Sequence, residues 1–227
     1  MADQKNNQDP LDVEEALMTS EAFLFKYKNI IVGVVVAIVV IVCGTLGYKH
    51  FISEPNELKA SEASFMAERY FGNDEFEAAL KGDSLGNMGF LKIADEFSGT
   101  KAGKLANAYA GVCYAKLAQY EDAAKYLDKF SASDFMVAPA MLGTIGNCYA
   151  QLGQLDKAAA TLLKAAEKAN SVELSPVYLL EAGQILEKQG KNSEAVEAYK
   201  QIKIKYGNSM QAMDIDKYIE QAKLLKK

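Results

Sequence analysis

The hydrophobic positions along the chain form two kinds of pattern, one continuous and one periodic. From Asn29 to Tyr48, twenty residues pass without a charged side chain. A helix of that length rises ~30 Å, the hydrocarbon thickness of a bilayer, and β-strands rarely run so long. Tyrosines and lysines, which prefer the interfacial depths of a membrane, lie at both ends of the run. The pattern therefore predicts one transmembrane helix at residues 29–48.

A polar segment, residues 1–28, precedes the apolar run and carries six acidic residues against three lysines. A cleaved signal peptide begins with a short basic region and has a shorter apolar core. We therefore interpret the run as an uncleaved signal anchor. Lys26 and Lys28 on one side, against Lys49 on the other, give a slight positive-inside bias. We expect residues 1–28 to form a cytoplasmic tail. We expect the domain that follows the membrane helix to lie on the opposite side of the membrane.

The pattern becomes periodic beyond a short linker at residues 49–56, where Pro55 is expected to stop the helix. Three glycines spaced 35 and 37 residues apart begin the period, and four later columns, meaning equivalent positions in successive units, agree in residue character. The glycines are Gly111, Gly146 and Gly183, and the later columns are Tyr114, Tyr149 and Leu186; Ala118, Gly153 and Gly190; Ala123, Ala158 and Ala195; Leu127, Leu162 and Tyr199. The spacing predicts a helix hairpin. The first glycine lets two helices approach closely, the second ends the first helix, and a small alanine marks where the second helix crosses the first.

This pattern resembles the tetratricopeptide repeat (TPR) over roughly residues 104–206, in three consecutive units. One departure is the early aromatic position, which holds Asn107, Leu142 and Leu179. The resemblance implies an all-α solenoid of stacked helix hairpins. The predicted fold class is accordingly a TPR helix-hairpin solenoid that follows a single N-terminal transmembrane helix.

The flanks of the three units complete the predicted domain. Ala67, Tyr70, Phe76 and Ala79 repeat the series in degenerate form, and three glycines within residues 82–89 interrupt it. We therefore expect residues 57–103 to form a first repeat with an insertion. Residues 207–227 are predicted to contribute a capping helix with a polar face, because terminal repeats must solvate the end of the stack.

Composition and charge exclude several functions. The net charge is −5 and Arg69 is the only arginine, whereas nucleic-acid binders usually carry a basic face, so no nucleic-acid partner is expected. His50 is the only histidine, and motifs for nucleotide binding, metal binding and acyl transfer do not occur. No catalytic residue, cofactor or metal site is predicted, and the chain is not expected to be an enzyme. An enzyme subunit would need a further catalytic domain.

Two cysteines, Cys113 and Cys148, occupy equivalent positions in successive units. A disulfide or metal pair is one interpretation. Equivalent positions in stacked hairpins lie near ~10 Å apart, beyond the separation a disulfide needs. We therefore favour buried, unpaired side chains, as free cysteines usually are.

The resemblance also implies a binding surface, because the first helices of TPR hairpins line a concave groove that takes peptides of partner proteins. Matching the groove-facing columns of the family onto this chain selects a set of mostly uncharged polar residues: Lys116, Thr144, Asn147, Gln151, Gln184 and Lys188. The alternative interpretation is that these side chains are simply exposed.

A tail, one membrane helix and a TPR domain, in that order, resemble the YfgM-like ancillary subunits of the bacterial Sec translocon. Residues 89–123 are also similar to TPR proteins of Bacteroidetes. The resemblance implies a single-pass inner-membrane protein with a periplasmic TPR domain, whose partners are translocon subunits, periplasmic chaperones or their clients. A scaffold for outer-envelope assembly or for a secretion apparatus is the alternative. The sequence predicts no particular oligomeric state.

Overall fold

The computed structural model describes residues 10–130 and 136–225. The chain divides into two units, Met1–Pro55 and Asn56–Lys227. Within the described ranges no β-strand forms, apart from one bridging pair between Gly82 and Met88. The all-α prediction is confirmed.

The first unit is dominated by one long helix, α1, which spans Pro10–Tyr48. Its valines and isoleucines between Val32 and Val42 are exposed rather than packed against other parts of the chain. Over its most apolar stretch the mean hydropathy is 3.0. By length and composition, α1 is therefore able to cross a membrane.

The chain stays helical at residues 49–56, where the sequence predicted a break. Lys49–Ser53 form a π-helical turn in which the Glu54 N–H donates to the Lys49 carbonyl, five residues earlier. Pro55 follows in the first turn of the next helix. In a regular α-helix the proline ring would clash with the carbonyl four residues earlier. The wider turn accommodates the ring, which is a solution that the general rule for proline does not anticipate.

The second unit is built from helices joined by short turns. The helices are α2, Glu54–Gly72; α3, Phe76–Lys81; α4, Phe90–Glu96; α5, Lys101–Lys116; α6, Tyr120–Asp128; α7, Val137–Gln151; α8, Leu155–Ala169; α9, Ser175–Lys188; α10, Asn192–Lys205; and α11, Ile215–Leu224. Three hairpins, α5–α6, α7–α8 and α9–α10, occupy the three predicted repeats. Gly153 and Gly190 turn the second and third hairpins with positive φ angles of 71° and 72°, and Ala118 turns the first with a φ of 59°.

Close packing at the first glycine of each repeat holds the two helices of a hairpin together. A Cβ atom added there would come within 2.7 Å of the large residue sixteen positions later, closer than real Cβ contacts allow. The pairs are Gly111 with Leu127, Gly146 with Leu162, and Gly183 with Tyr199. All three large residues are fully buried. The glycine thus lies directly under a side chain of the second helix.

Contacts between successive elements extend the core along the domain. Tyr178 on α9 lies against Gly143 on α7, so the third hairpin packs on the second. Glu57 on α2 accepts hydrogen bonds from the Lys101 and Ala102 backbone N–H groups at 2.8 and 2.9 Å, and so caps the start of α5. The largest buried cluster runs from α8 to α11.

The segment for which the sequence predicts a first repeat with an insertion, residues 57–103, has a glycine-rich turn between α3 and α4. The glycine-rich turn is held by Asp83, whose carboxylate accepts hydrogen bonds from the Tyr70 hydroxyl and from the backbone N–H groups of Leu85 and Asn87. The hydrogen bond from Tyr70 is the main cause that lowers the pKa of Asp83 to about 2. At the other end of the domain, a 3₁₀ turn at Met210–Ala212 precedes α11, which buries Ile215 and Ile219 and exposes charged side chains.

Candidate peptide-binding groove

The side chains predicted to line a groove lie on α5, α7 and α9, the first helices of the three hairpins. Lys116, Gln151 and Lys188 are the last residues of these three helices, and all three are exposed. Their shared position gives the repeats one row of polar side chains. The two lysines also lie where the negative end of a helix dipole favours a cation.

Thr144 and Gln184 are half-buried on α7 and α9. The Thr144 hydroxyl donates to the Ala140 carbonyl of its own helix at 3.0 Å. Its single hydrogen is therefore used within α7, and the hydroxyl can act toward a ligand only as an acceptor. The sequence pattern did not indicate this internal bond.

Asn147 is exposed on α7, and its side chain hydrogen-bonds the carboxylate of Glu181 on α9. Asn147 therefore connects two hairpins, in addition to its predicted role in the groove. Glu181 was not among the predicted residues. It nevertheless occupies the same column as Thr144, since each lies five residues after the proline of its helix, Pro139 or Pro176.

The environment of Glu181 disfavours its charge. The residue is half-buried, and its Oε2 atom is covered and has no hydrogen-bond partner among the described residues. Burial raises the pKa of Glu181, and the hydrogen bond from Asn147 opposes that shift. Tyr178, one turn earlier on α9, also has a raised pKa, first because it is buried and second because Glu181 is near. Acid, amide and phenol thus form one polar cluster where α7 meets α9.

A further concavity of about 550 Å³ lies mainly between α8 and α10, the second helices of two hairpins. Lys164, Gln201 and Lys205 are among its lining residues. It shares no residue with the groove prediction.

The described residues form no candidate metal centre. No group of three or more His, Cys, Asp or Glu side chains able to hold a metal ion occurs in these parts of the chain. Cys113 and Cys148 are buried, unpaired thiols. Burial raises the pKa of Cys113 to about 12 and also raises that of Cys148, which disfavours the reactive thiolate.

Comparison with known proteins agrees with this architecture. Residues 139–167 and 178–209 each match a family model described as tetratricopeptide repeat. The chain carries tetratricopeptide repeats. The first matched stretch lies within the second hairpin, α7–α8. The second stretch covers most of the third hairpin, α9–α10, and continues beyond the end of α10 at Lys205. Such repeats indicate protein partners in general.

A solved structure supports the same fold. The crystal structure of MamA matches with a TM-score of 0.50 and 17% sequence identity, covering 70% of this chain and 94% of that chain. At this identity the likeness shows the TPR fold alone. Among curated proteins, no sequence matches the chain.

Proposed function

We propose that this protein is a membrane-anchored TPR adaptor that binds partner proteins through the groove formed by α5, α7 and α9. The observation that carries the proposal is the row of exposed polar residues, Lys116, Gln151 and Lys188, at one column of three successive hairpins. A repeated exposed position on adjacent first helices suits an extended peptide that runs along the stack.

The chemistry of the groove favours recognition of peptide backbone. Gln151 and Gln184 carry amides that both donate and accept hydrogen bonds. Such groups match the alternating N–H and C=O groups of an extended chain, whatever its sequence. An adaptor for diverse clients needs this tolerance.

The proposed location is the periplasmic face of the inner membrane, with α1 as the anchor. The length and apolar character of α1 support an anchor. The order of tail, anchor and TPR domain supports a role in protein export or in handover to chaperones near the Sec translocon. A C-terminal alkaline phosphatase fusion should be active. An inactive fusion, together with an active cytoplasmic reporter at the same position, would reverse the topology.

Partner capture from native membranes tests the groove. The test variant is Gln151→Ala with Gln184→Ala, because replacement of Asn147 would also remove the hydrogen bond to Glu181. The control is Lys125→Ala with Asp128→Ala on α6, two exposed residues of a second helix. Exposed polar-to-alanine changes shift stability by less than ~0.5 kcal/mol, which covers Gln151 and the control pair. Gln184 is half-buried, so the melting temperature of the groove variant is measured to show that it remains folded.

The groove variant should capture crosslinked partners at a yield reduced about fivefold or more, since each lost hydrogen bond in a buried complex costs about 1–3 kcal/mol. The control should match the wild type. The reverse result would place binding on the second helices. Mass spectrometry of the captured proteins then identifies translocon subunits and chaperones, or instead components of outer-envelope assembly or a secretion apparatus.

A further inference from the structure

Glu181 is an acid of the groove whose charge is not balanced within the protein. None of the ion pairs among the described residues includes it. One hydrogen bond, from Asn147, reaches the carboxylate, and Oε2 has no partner in the described ranges. Charged groups in covered positions are ordinarily paired or fully hydrogen-bonded, so a carboxylate that is only half satisfied needs an explanation.

Across the proposed groove, α7 offers no counter-charge to Glu181. From Val137 to Gln151, α7 contains no lysine, arginine, aspartate or glutamate. On α9 itself, Lys188 lies seven residues from Glu181, about 10 Å along the helix axis. The helices α8 and α10, which also pack against α9, carry lysines. No charged group is among the causes of the raised pKa of Glu181, so this carboxyl has no close counter-ion in the described parts of the chain.

We propose that Glu181 determines the specificity of the groove, and that the bound segment of a partner protein presents a lysine or arginine side chain to its carboxylate. The inference rests on the proposed function, because it assigns a ligand class to the same groove. An ammonium or guanidinium group supplies both the missing hydrogen-bond donor and the missing positive charge. Oε2 is covered by neighbouring atoms while Glu181 as a whole is half-buried, so binding of the cation requires the carboxylate to rotate outward to meet it. Asn147, which is exposed, is able to follow this movement.

The ligand class is tested with synthetic peptides and the full-length protein in detergent micelles. The probe is a pool of nine-residue peptides, acetylated at the N-terminus and amidated at the C-terminus, with one degenerate central position. Immobilised wild-type protein should enrich peptides with central lysine or arginine. An enriched lysine peptide and its norleucine counterpart are then compared, because norleucine keeps the alkyl chain and removes the charge. A charge-assisted hydrogen bond predicts about tenfold or greater preference for lysine.

The variants separate the charge of Glu181 from its shape. Glu181→Gln keeps the shape and should reduce the lysine-to-norleucine affinity ratio to near one, while its melting temperature shows that it folds. Glu181→Lys should reverse the preference toward a glutamate peptide. Glu167→Gln, which removes the same charge from an exposed position on α8, should keep the wild-type ratio.

Two outcomes overturn the proposal in distinguishable ways. If the wild type retains peptides without preferring lysine or arginine, or if the preference survives in Glu181→Gln, then Glu181 does not set specificity and the groove function stands. If the wild type retains no peptide above a protein-free matrix, then both the ligand class and the proposed groove function are wrong.

Discussion

Ala118 is the residue at which one hairpin turn differs from the other two. It adopts a φ of 59° where Gly153 and Gly190 adopt similar positive angles. A residue with a Cβ atom pays roughly 1–2 kcal/mol in this left-handed region, whereas glycine enters it freely and costs about 0.5–1 kcal/mol through the unfolded chain. Ala118→Gly should therefore stabilise the domain by roughly 0.5 kcal/mol.

Urea unfolding monitored by circular dichroism measures this difference. The matched control is Ala115→Gly in the last turns of α5, where the backbone is helical and glycine should lower stability by about 0.5–1 kcal/mol. A loss of stability for Ala118→Gly comparable to that of the control would contradict the interpretation of strain.

The raised pKa of Glu181 predicts a pH-dependent cost to the native state. A carboxyl group with a native pKa above its unfolded value contributes no penalty below the unfolded pKa, near pH 4. The native state then loses stability as the pH rises from there through the raised pKa, because the native carboxyl must ionise in a half-buried site. Glu181→Gln should therefore melt at the same temperature as the wild type near pH 4 and at a higher temperature at pH 7. A difference in melting temperature that does not change between these pH values would contradict the assignment.

For single residues, the sequence shows which positions are equivalent in successive repeats, but it does not show which side chains form hydrogen bonds with each other. Asn147 was predicted on the correct helix, yet its hydrogen bond to Glu181 joins residues of two different repeats. Thr144 was predicted to line the groove, yet its hydroxyl donates a hydrogen bond to the Ala140 carbonyl of its own helix. Glu181 occupies the same column as Thr144, which the sequence analysis had selected as groove-facing. It was missed because a carboxylate differs from the uncharged polar residues of that prediction.

Among the elements, each hairpin depends on a glycine in its first helix. A side chain of the second helix occupies the position that a Cβ atom of this glycine would take. A Cβ on Gly146 would lie 2.7 Å from Cγ of Leu162, which is fully buried. Gly146→Ala should therefore lower stability by about 1–3 kcal/mol, although alanine is the better helix former. Gly72→Ala on α2, where an added Cβ would meet no atom within 4 Å, is the control and should not lower stability. Thermal unfolding compares the two, and equal melting temperatures would contradict the packing argument.

The helices of the three hairpins follow from local pattern, and features that join distant or irregular segments do not. Helical period, small residues and turn glycines lie within about 35 residues of each other and are visible in the sequence. The cap that Glu57 provides for α5 links positions 44 residues apart. The π-helical turn before Pro55 was not predicted, because the rule that proline breaks a helix applies to regular α-helices.

For the whole molecule, the division at Asn56 predicts that the TPR unit folds independently of the unit that precedes it. A fragment of residues 56–227 should be soluble, monomeric or weakly associated, and almost wholly helical, because its core clusters lie within that range. Circular dichroism and light scattering measure both properties. Substantial β content, or aggregation of the fragment at micromolar concentration, would contradict an independent solenoid.

The most direct test of the groove as the binding surface is site-specific photocrosslinking in living cells. A photoreactive amino acid replaces Gln151 on α7, and in a second strain it replaces Lys125 on α6. Both positions are exposed, so the probe perturbs neither core. Partner adducts at position 151, with few or none at position 125, are the predicted result. Equal adducts at both positions, or adducts at position 125 alone, would contradict binding in the groove of α5, α7 and α9.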